Sequence, residues 1–184
     1  EYERRFDDML DLYRRYFEIM QRFGAKIFVF HGDHKTSTNN ASFYAQRYYK
    51  LREAARPYGV DFAQENIARC KSGDLLFLRE LSDLLRDDIS FVFDLKQALR
   101  SGYSPMEVLK VMGKRVVHIH ANDHTIQKDC LLPGRGEFDF RGLFGYLRSI
   151  ETDPSAMIEV YRENFVMENE LVKSLKYLYR IYGD

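Results

Sequence analysis

Short apolar runs alternate with amphipathic helical stretches along the whole chain, and that alternation restricts it to a parallel α/β fold. The apolar runs are Ile27–Phe30, Asp61–Gln64, Ile89–Phe93, Val116–Ile119 and Ala156–Ile158. They are nearly all apolar rather than alternating, as strands covered on both faces are. Between them the apolar period lengthens from two to between three and four, the helical signature. A first helix carries Phe6, Met9, Leu10, Tyr13, Tyr16, Phe17, Met20 and Phe23 on one stripe and stops at Gly24. Further helices are expected over Phe43–Tyr58, after a cap at Asp74, over Lys96–Leu99, Pro105–Met112, Phe140–Ile150 and Met167–Tyr182. Each strand–helix unit takes roughly 25 to 40 residues, the size of a βα repeat. The tyrosines follow the helical stripes and read as packing residues, not as a platform for bases.

Each apolar run leads into a residue that can bind a metal: His31, Glu65, Asp94, His120 and Glu159. In parallel α/β folds ligands bind at the carboxyl ends of the strands, so these five side chains converge on one end of the sheet. Carboxylates with one or two imidazoles suit a hard or borderline divalent cation, Mn²⁺, Mg²⁺, Co²⁺ or Zn²⁺. Such an ion polarises a carbonyl or hydroxyl, and a neighbouring carboxylate can then move a proton. The two cysteines, Cys70 and Cys130, form no thiolate pair for a cysteine-type zinc site and no disulfide framework. They fit a reducing compartment, and a cytoplasmic location is expected. Lys+Arg and Asp+Glu both number 28, so no net positive charge argues for a nucleic acid partner. No apolar run is long enough to span a membrane, so no membrane partner is expected.

Around these residues lie QEN at Gln64–Asn66, FDLKQA at Phe93–Ala98, HIHAND at His118–Asp123, PGRGEFD at Pro133–Asp139 and MIEVY at Met157–Tyr161. In this order and spacing they resemble the xylose isomerase-like (β/α)8 barrels, the superfamily of sugar isomerases and epimerases that includes sugar phosphate isomerase/epimerases and endonuclease IV. The resemblance covers almost the whole chain. It implies a TIM-barrel fold, incomplete here, with about five βα units matching strands four to eight. Residues 1–184 then form a single partial barrel domain, with three βα units expected before Glu1. Such an open barrel exposes apolar sheet edges, which favours pairing with another chain, a homo-oligomer included.

The resemblance also implies chemistry. Glu65, Asp94, His120 and Glu159 become the ligands of one divalent metal ion, with Mn²⁺ preferred. Glu65 and Glu159 become the acid and base, one removing a proton beside a sugar carbonyl to give a metal-bound enediolate, the other returning it. His31, Lys96, Gln97 and Arg135 are the expected contacts of a sugar or sugar phosphate. His118 and Asp123 are expected beside the ligands, orienting the site through hydrogen bonds. His34 and His124 read as loop residues. Two departures sharpen the assignment. Many relatives carry histidine three residues after the aspartate, where this chain has Gln97, preceded by Lys96. The extra ligands of a three-zinc nuclease are missing from Lys128–Leu132, which weakens a DNA-repair nuclease as an alternative. An inosose dehydratase-type lyase and a non-catalytic barrel fragment that assembles with a partner remain the other readings.

Overall fold

A computed structural model describes residues 2–183 of the chain. Five strands, β1 (Ile27–Phe30), β2 (Asp61–Glu65), β3 (Ser90–Asp94), β4 (Val116–Ala121) and β5 (Ser155–Ile158), form one parallel sheet in the order β1-β2-β3-β4-β5. The connections are helical. α1 (Tyr2–Phe23) precedes β1, α2 (Ala41–Ala55) joins β1 to β2, and α3 (Leu75–Leu85) joins β2 to β3. α4 (Leu95–Arg100) and α5 (Pro105–Met112) follow β3, α6 (Phe140–Ser149) follows β4, and α7 (Glu168–Gly183) closes the order. A doubly wound sheet would reverse its strand order at a switch point. Here each strand pairs with the next without reversal, which is the progression of a (β/α)8 barrel. The sheet is a half-barrel, with β1 and β5 as its two edges.

The strand side chains divide between two faces, as the two-residue period requires. Phe28 and Phe30, Phe62, Phe91 and Phe93, and Ile119 and Ala121 pack outward into the core shared with the helices. The inward set is Val29, Ala63 and Glu65, Val92 and Asp94, His118 and His120, Met157 and then Glu159. Cover on the inner face falls from the centre to the edges. Ala63 and Val92 are fully buried, whereas Met157 on β5 is 50% exposed. Cover on both faces therefore holds for the middle strands but not for the edges, because an arc open between β5 and β1 leaves the edge strands facing solvent.

The outer core is unusually aromatic. Phe17 of α1 meets Phe28 and Phe62 edge to face, at centroid separations of 5.5 and 6.1 Å, and Tyr13 meets Phe28 at 5.4 Å. These are the offset geometries that aromatic quadrupoles favour. Not every member of the α1 stripe is inside: Tyr16 is half-exposed and Phe23 is 85% exposed. Phe23 closes the last turn beside Gly24, whose φ of 71° ends the helix, so it has run past the sheet it would pack on.

Strands β2, β3 and β4 reach one or two residues beyond their apolar runs. Ladder hydrogen bonds come from the backbone, so Glu65, Asp94 and His120 stay in register although their side chains are polar: Glu65 lies beside Val92 and Asp94 beside His120. α2 starts at Ala41, directly after Asn40, whose side chain accepts from Phe43 N at 2.9 Å. It tightens into a 3₁₀ turn over Arg56–Tyr58, where Pro57 cannot continue the helical ladder.

Candidate metal centre

The inner-face residues meet at the carboxyl ends of the strands. Glu65, Asp94, His120 and Glu159 each offer a ligand atom, and these atoms all lie within 4.8 Å of one another. Their levels along the strands are staggered. Glu65 pairs with Val92, two residues before Asp94; Asp94 pairs with His120; and His120 pairs with Met157, two residues before Glu159. Strands in a barrel tilt and shear in this way, so the same face is reached progressively later from strand to strand.

Each side chain is aimed by its local structure. Asp94 is at once the last residue of β3 and the N-cap of α4. Its Oδ1 accepts from Gln97 N at 3.1 Å and Asn122 Nδ2 at 3.3 Å, leaving Oδ2 to face the cluster. Asn66 locks the same strand end, donating to Asp94 O at 2.9 Å and accepting from Asp94 N at 2.8 Å. Buried Gln64 ties β2 to β1 by donating to Phe30 O, His31 O and Glu65 O, and its oxygen accepts from the Tyr44 hydroxyl. His120 turns Nδ1 to three carboxylates: Glu65 Oε1 at 2.9 Å, Glu159 Oε2 at 3.2 Å and Asp94 Oδ2 at 3.5 Å. Among the described residues its buried Nε2 has no hydrogen-bond partner.

The electrostatics are those of a concentrated negative site. Asp94 is fully buried, and Glu65 is 2% exposed. Burial tends to lower the His120 pKa, but hydrogen bonds to Asp94, Glu159 and Glu65 outweigh it and push the imidazole up to about 11. The two glutamates shift in opposite directions. Hydrogen bonding to His120, opposed by burial and helped by Lys96, holds Glu159 well below the usual carboxylate range. Burial raises Glu65 despite its contact with His120. Lys96 places its ammonium 2.5 Å from Asp94 Oδ2 and also donates to Glu159 Oε2. Burial works against its charge, and the Asp94 and Glu159 carboxylates more than restore it, so its pKa is raised.

Three carboxylates and an imidazole this close make a donor set that fits a divalent cation: hard oxygens, one nitrogen and a strong need for positive charge. The Lys96 ammonium, against Asp94 and Glu159, supplies part of that charge from the protein itself. The same ends of the strands hold His31, half-exposed, with Nε2 3.1 Å from Glu65 Oε2. His118 lies one layer below, its ring 5.3 Å from that of His120 and its Nδ1 2.7 Å from Ser155 Oγ. Gln97 stands at the start of α4, its amide oxygen accepting from Ala68 N at 3.1 Å. Arg135 is half-exposed and paired with Glu170 at 2.5 Å.

Asp123 organises the loop after β4. Its carboxylate accepts from the backbone N–H groups of His124, Gly134, Gly136 and Phe138, at 2.8 to 3.0 Å. Gln64, Asn66 and Asn122 are the supporting residues that a search for metal-binding side chains passes over. Their signal is positional, since Gln64 and Asn66 flank Glu65 and Asn122 follows His120 by two.

A groove of about 560 Å³ lies elsewhere, between β5, α6 and α7, lined by Phe144, Leu147, Ile158, Leu178 and Tyr182 among others. None of the four clustered residues lines it, although Arg148, Glu151, Asp153 and Tyr182 do, the Tyr182 hydroxyl donating to Asp153 Oδ1 at 2.8 Å. The candidate metal ligands converge at the strand ends instead. Among the described residues no helix is long and apolar enough to cross a membrane.

Comparison with known proteins agrees with this geometry. The chain is similar to a D-tagatose 3-epimerase-like protein, with a TM-score of 0.72, 20% identity, and coverage of 98% of this chain and 71% of that one. It is similar to an IOLI protein with a binding zinc atom, with a TM-score of 0.75, 17% identity, and coverage of 100% and 72%. A third likeness is to D-psicose 3-epimerase with D-tagatose from Clostridium cellulolyticum H10, with a TM-score of 0.71, 15% identity, and coverage of 96% and 71%. At these identities the likeness is one of fold. Among curated sequences, the uncharacterized protein YihM of Escherichia coli (strain K12) is 24% identical over 110 residues, 56% of this chain and only 33% of that protein. The chain thus matches about a third of the length of that relative. The family model described as xylose isomerase-like TIM barrel matches residues 2–181. With the unreversed strand order and the cluster at the strand ends, that match identifies the chain as a member of the xylose isomerase-like TIM barrel family.

Proposed function

We propose that the chain carries the metal site of a divalent-metal-dependent isomerase or epimerase acting on a sugar or sugar phosphate. The observation that supports this most is the convergence of Glu65, Asp94, His120 and Glu159 within 4.8 Å at the carboxyl ends of four successive strands. The names of the similar structures, epimerases among them, point the same way. A divalent ion held there, Mn²⁺ first and Mg²⁺, Co²⁺ or Zn²⁺ otherwise, would polarise the oxygens of a bound sugar.

The remaining work belongs to the chain's own residues. Glu65 and Glu159 approach His120 Nδ1 from separate strands and are assigned to opposite faces of the reacting sugar carbon. One carboxylate removes the proton beside the carbonyl, and the other returns it. Asp94 and Asn66 keep the two middle strand ends rigid. His31 and Lys96 are within reach of the reacting carboxylates and are the sugar contacts assigned here, with Gln97 and Arg135 as further candidates.

The test is proton exchange. A panel of ketoses and their phosphates, incubated in D₂O with protein and Mn²⁺, should show deuterium entering the carbon next to the carbonyl. Glu159→Gln should reduce that exchange by about 10²-fold or more, the size of an acid–base contribution. Undiminished exchange in Glu159→Gln would remove Glu159 from the pair. A product lighter by one water would assign the site to a lyase instead.

A further inference from the structure

The carboxylate cluster already contains an ion partner, and it comes from the protein. Lys96 is 3% exposed, and its Nζ bridges Asp94 Oδ2 and Glu159 Oε2. Those are the same two oxygens that face His120 Nδ1, at 3.5 and 3.2 Å. An ion held by Asp94, His120 and Glu159 would need the lone pairs that the ammonium now occupies.

Helix geometry does not explain the placement. Lys96 is the second residue of α4, at the end of a helix where a cation meets the positive pole of the dipole. The carboxylates explain it. Glu65, Asp94 and Glu159 bring three carboxylates together, and the Lys96 ammonium lies against two of them. Glu159 is the open member of the cluster, with its side chain 41% exposed against 4% for Lys96, so the way from the buried ammonium to solvent leads past Glu159. Its flexible four-carbon stem can follow that route without moving α4.

We propose that Lys96 is a built-in competitor for the divalent cation. Without an ion it holds Asp94 and Glu159 together; when an ion enters, it gives up both oxygens and moves toward the open side at Glu159. This rests on the metal reading of the cluster. A monovalent internal cation of this kind weakens ion binding twice, by occupying ligand lone pairs and by repelling the incoming charge at short range.

The test is calorimetric titration of Mn²⁺ into chelator-stripped protein at fixed pH, comparing wild type with Lys96→Met, Lys96→Gln and Lys96→Arg. Removing the charge should tighten Mn²⁺ binding by about tenfold or more in both Lys96→Met and Lys96→Gln. Lys96→Arg, which keeps the charge, should bind no more tightly than wild type. Thermal melting gives an independent readout: Mn²⁺ should raise the melting temperature more in Lys96→Gln than in wild type. Equal or weaker binding in the neutral variants would overturn the competitor role while leaving the metal site standing. Absence of Mn²⁺ binding in folded wild type and folded variants alike would overturn the metal reading and the competitor role together.

Discussion

Single residues in this chain often serve two elements, and their substitution should be felt in both. The Tyr48 hydroxyl donates to Phe62 O at 2.5 Å and accepts from Ser90 N at 3.3 Å, so one side chain of α2 joins β2 to β3. Tyr48→Phe should cost about 1–2 kcal/mol in chemical denaturation. Burial raises the Tyr48 pKa, so the folded chain keeps this phenol neutral. Its contribution is fully present below about pH 10, the unfolded value, and is lost as the unfolded state ionises above it. Tyr48→Phe should therefore lessen the alkaline loss of stability, and denaturation curves at pH 9 and 11 check it. Gly136 is constrained by space: a Cβ there would sit 2.3 Å from Asp123 Oδ1 and from His124 O. Gly136→Ala should cost about 1–3 kcal/mol and leave the loop after β4 more open to proteolysis. Acid and histidine at strand ends marked five candidates, His31 among them, and the resemblance of the surrounding motifs singled out the four that cluster. Lys96 on Glu159 was not legible, because that contact spans 63 positions and depends on the stagger of three strands.

Elements were legible where one force dominates and blurred where two compete. Asp74 as a cap and Pro105 as the first residue of α5 follow from local chemistry, and both stand where the pattern puts them. Asp74 Oδ1 accepts from Leu76 N at 2.7 Å and Phe77 N at 3.1 Å, so Asp74→Ala should cost about 1 kcal/mol, read as a fall in melting temperature. Strand ends were harder to read, since hydropathy stops at Gln64 or Ile119 while the backbone ladder continues through Glu65 and Ala121. The extra residues matter, because they bring Glu65 and His120 into the sheet and fix their direction. Helix faces near the chain's rim were also harder. Leu175 and Tyr182 of α7 continue its apolar stripe but are nearly half-exposed, at the rim where the arc of strands ends.

At the scale of the molecule, the half-barrel and its cluster of candidate metal ligands are one design. The unreversed order β1-β2-β3-β4-β5 brings the strand ends around an arc, and the shear between strands levels Glu65, Asp94, His120 and Glu159. Alternation of apolar runs with helices made the parallel sheet readable, and the acidic and imidazole strand ends made the site readable. The open edges at β1 and β5 follow from an incomplete barrel, but which residues they expose was not readable, since residues such as Met157 look like core in any strand. If the four residues act as one cation site, the chain should hold one divalent ion there. The most direct measurement is metal content after equilibration with Mn²⁺ and removal of unbound ion, for the protein and for Asp94→Asn. One Mn²⁺ per chain, lost in the folded variant, is the predicted result. No bound ion in the protein, or full occupancy retained in Asp94→Asn, would contradict it.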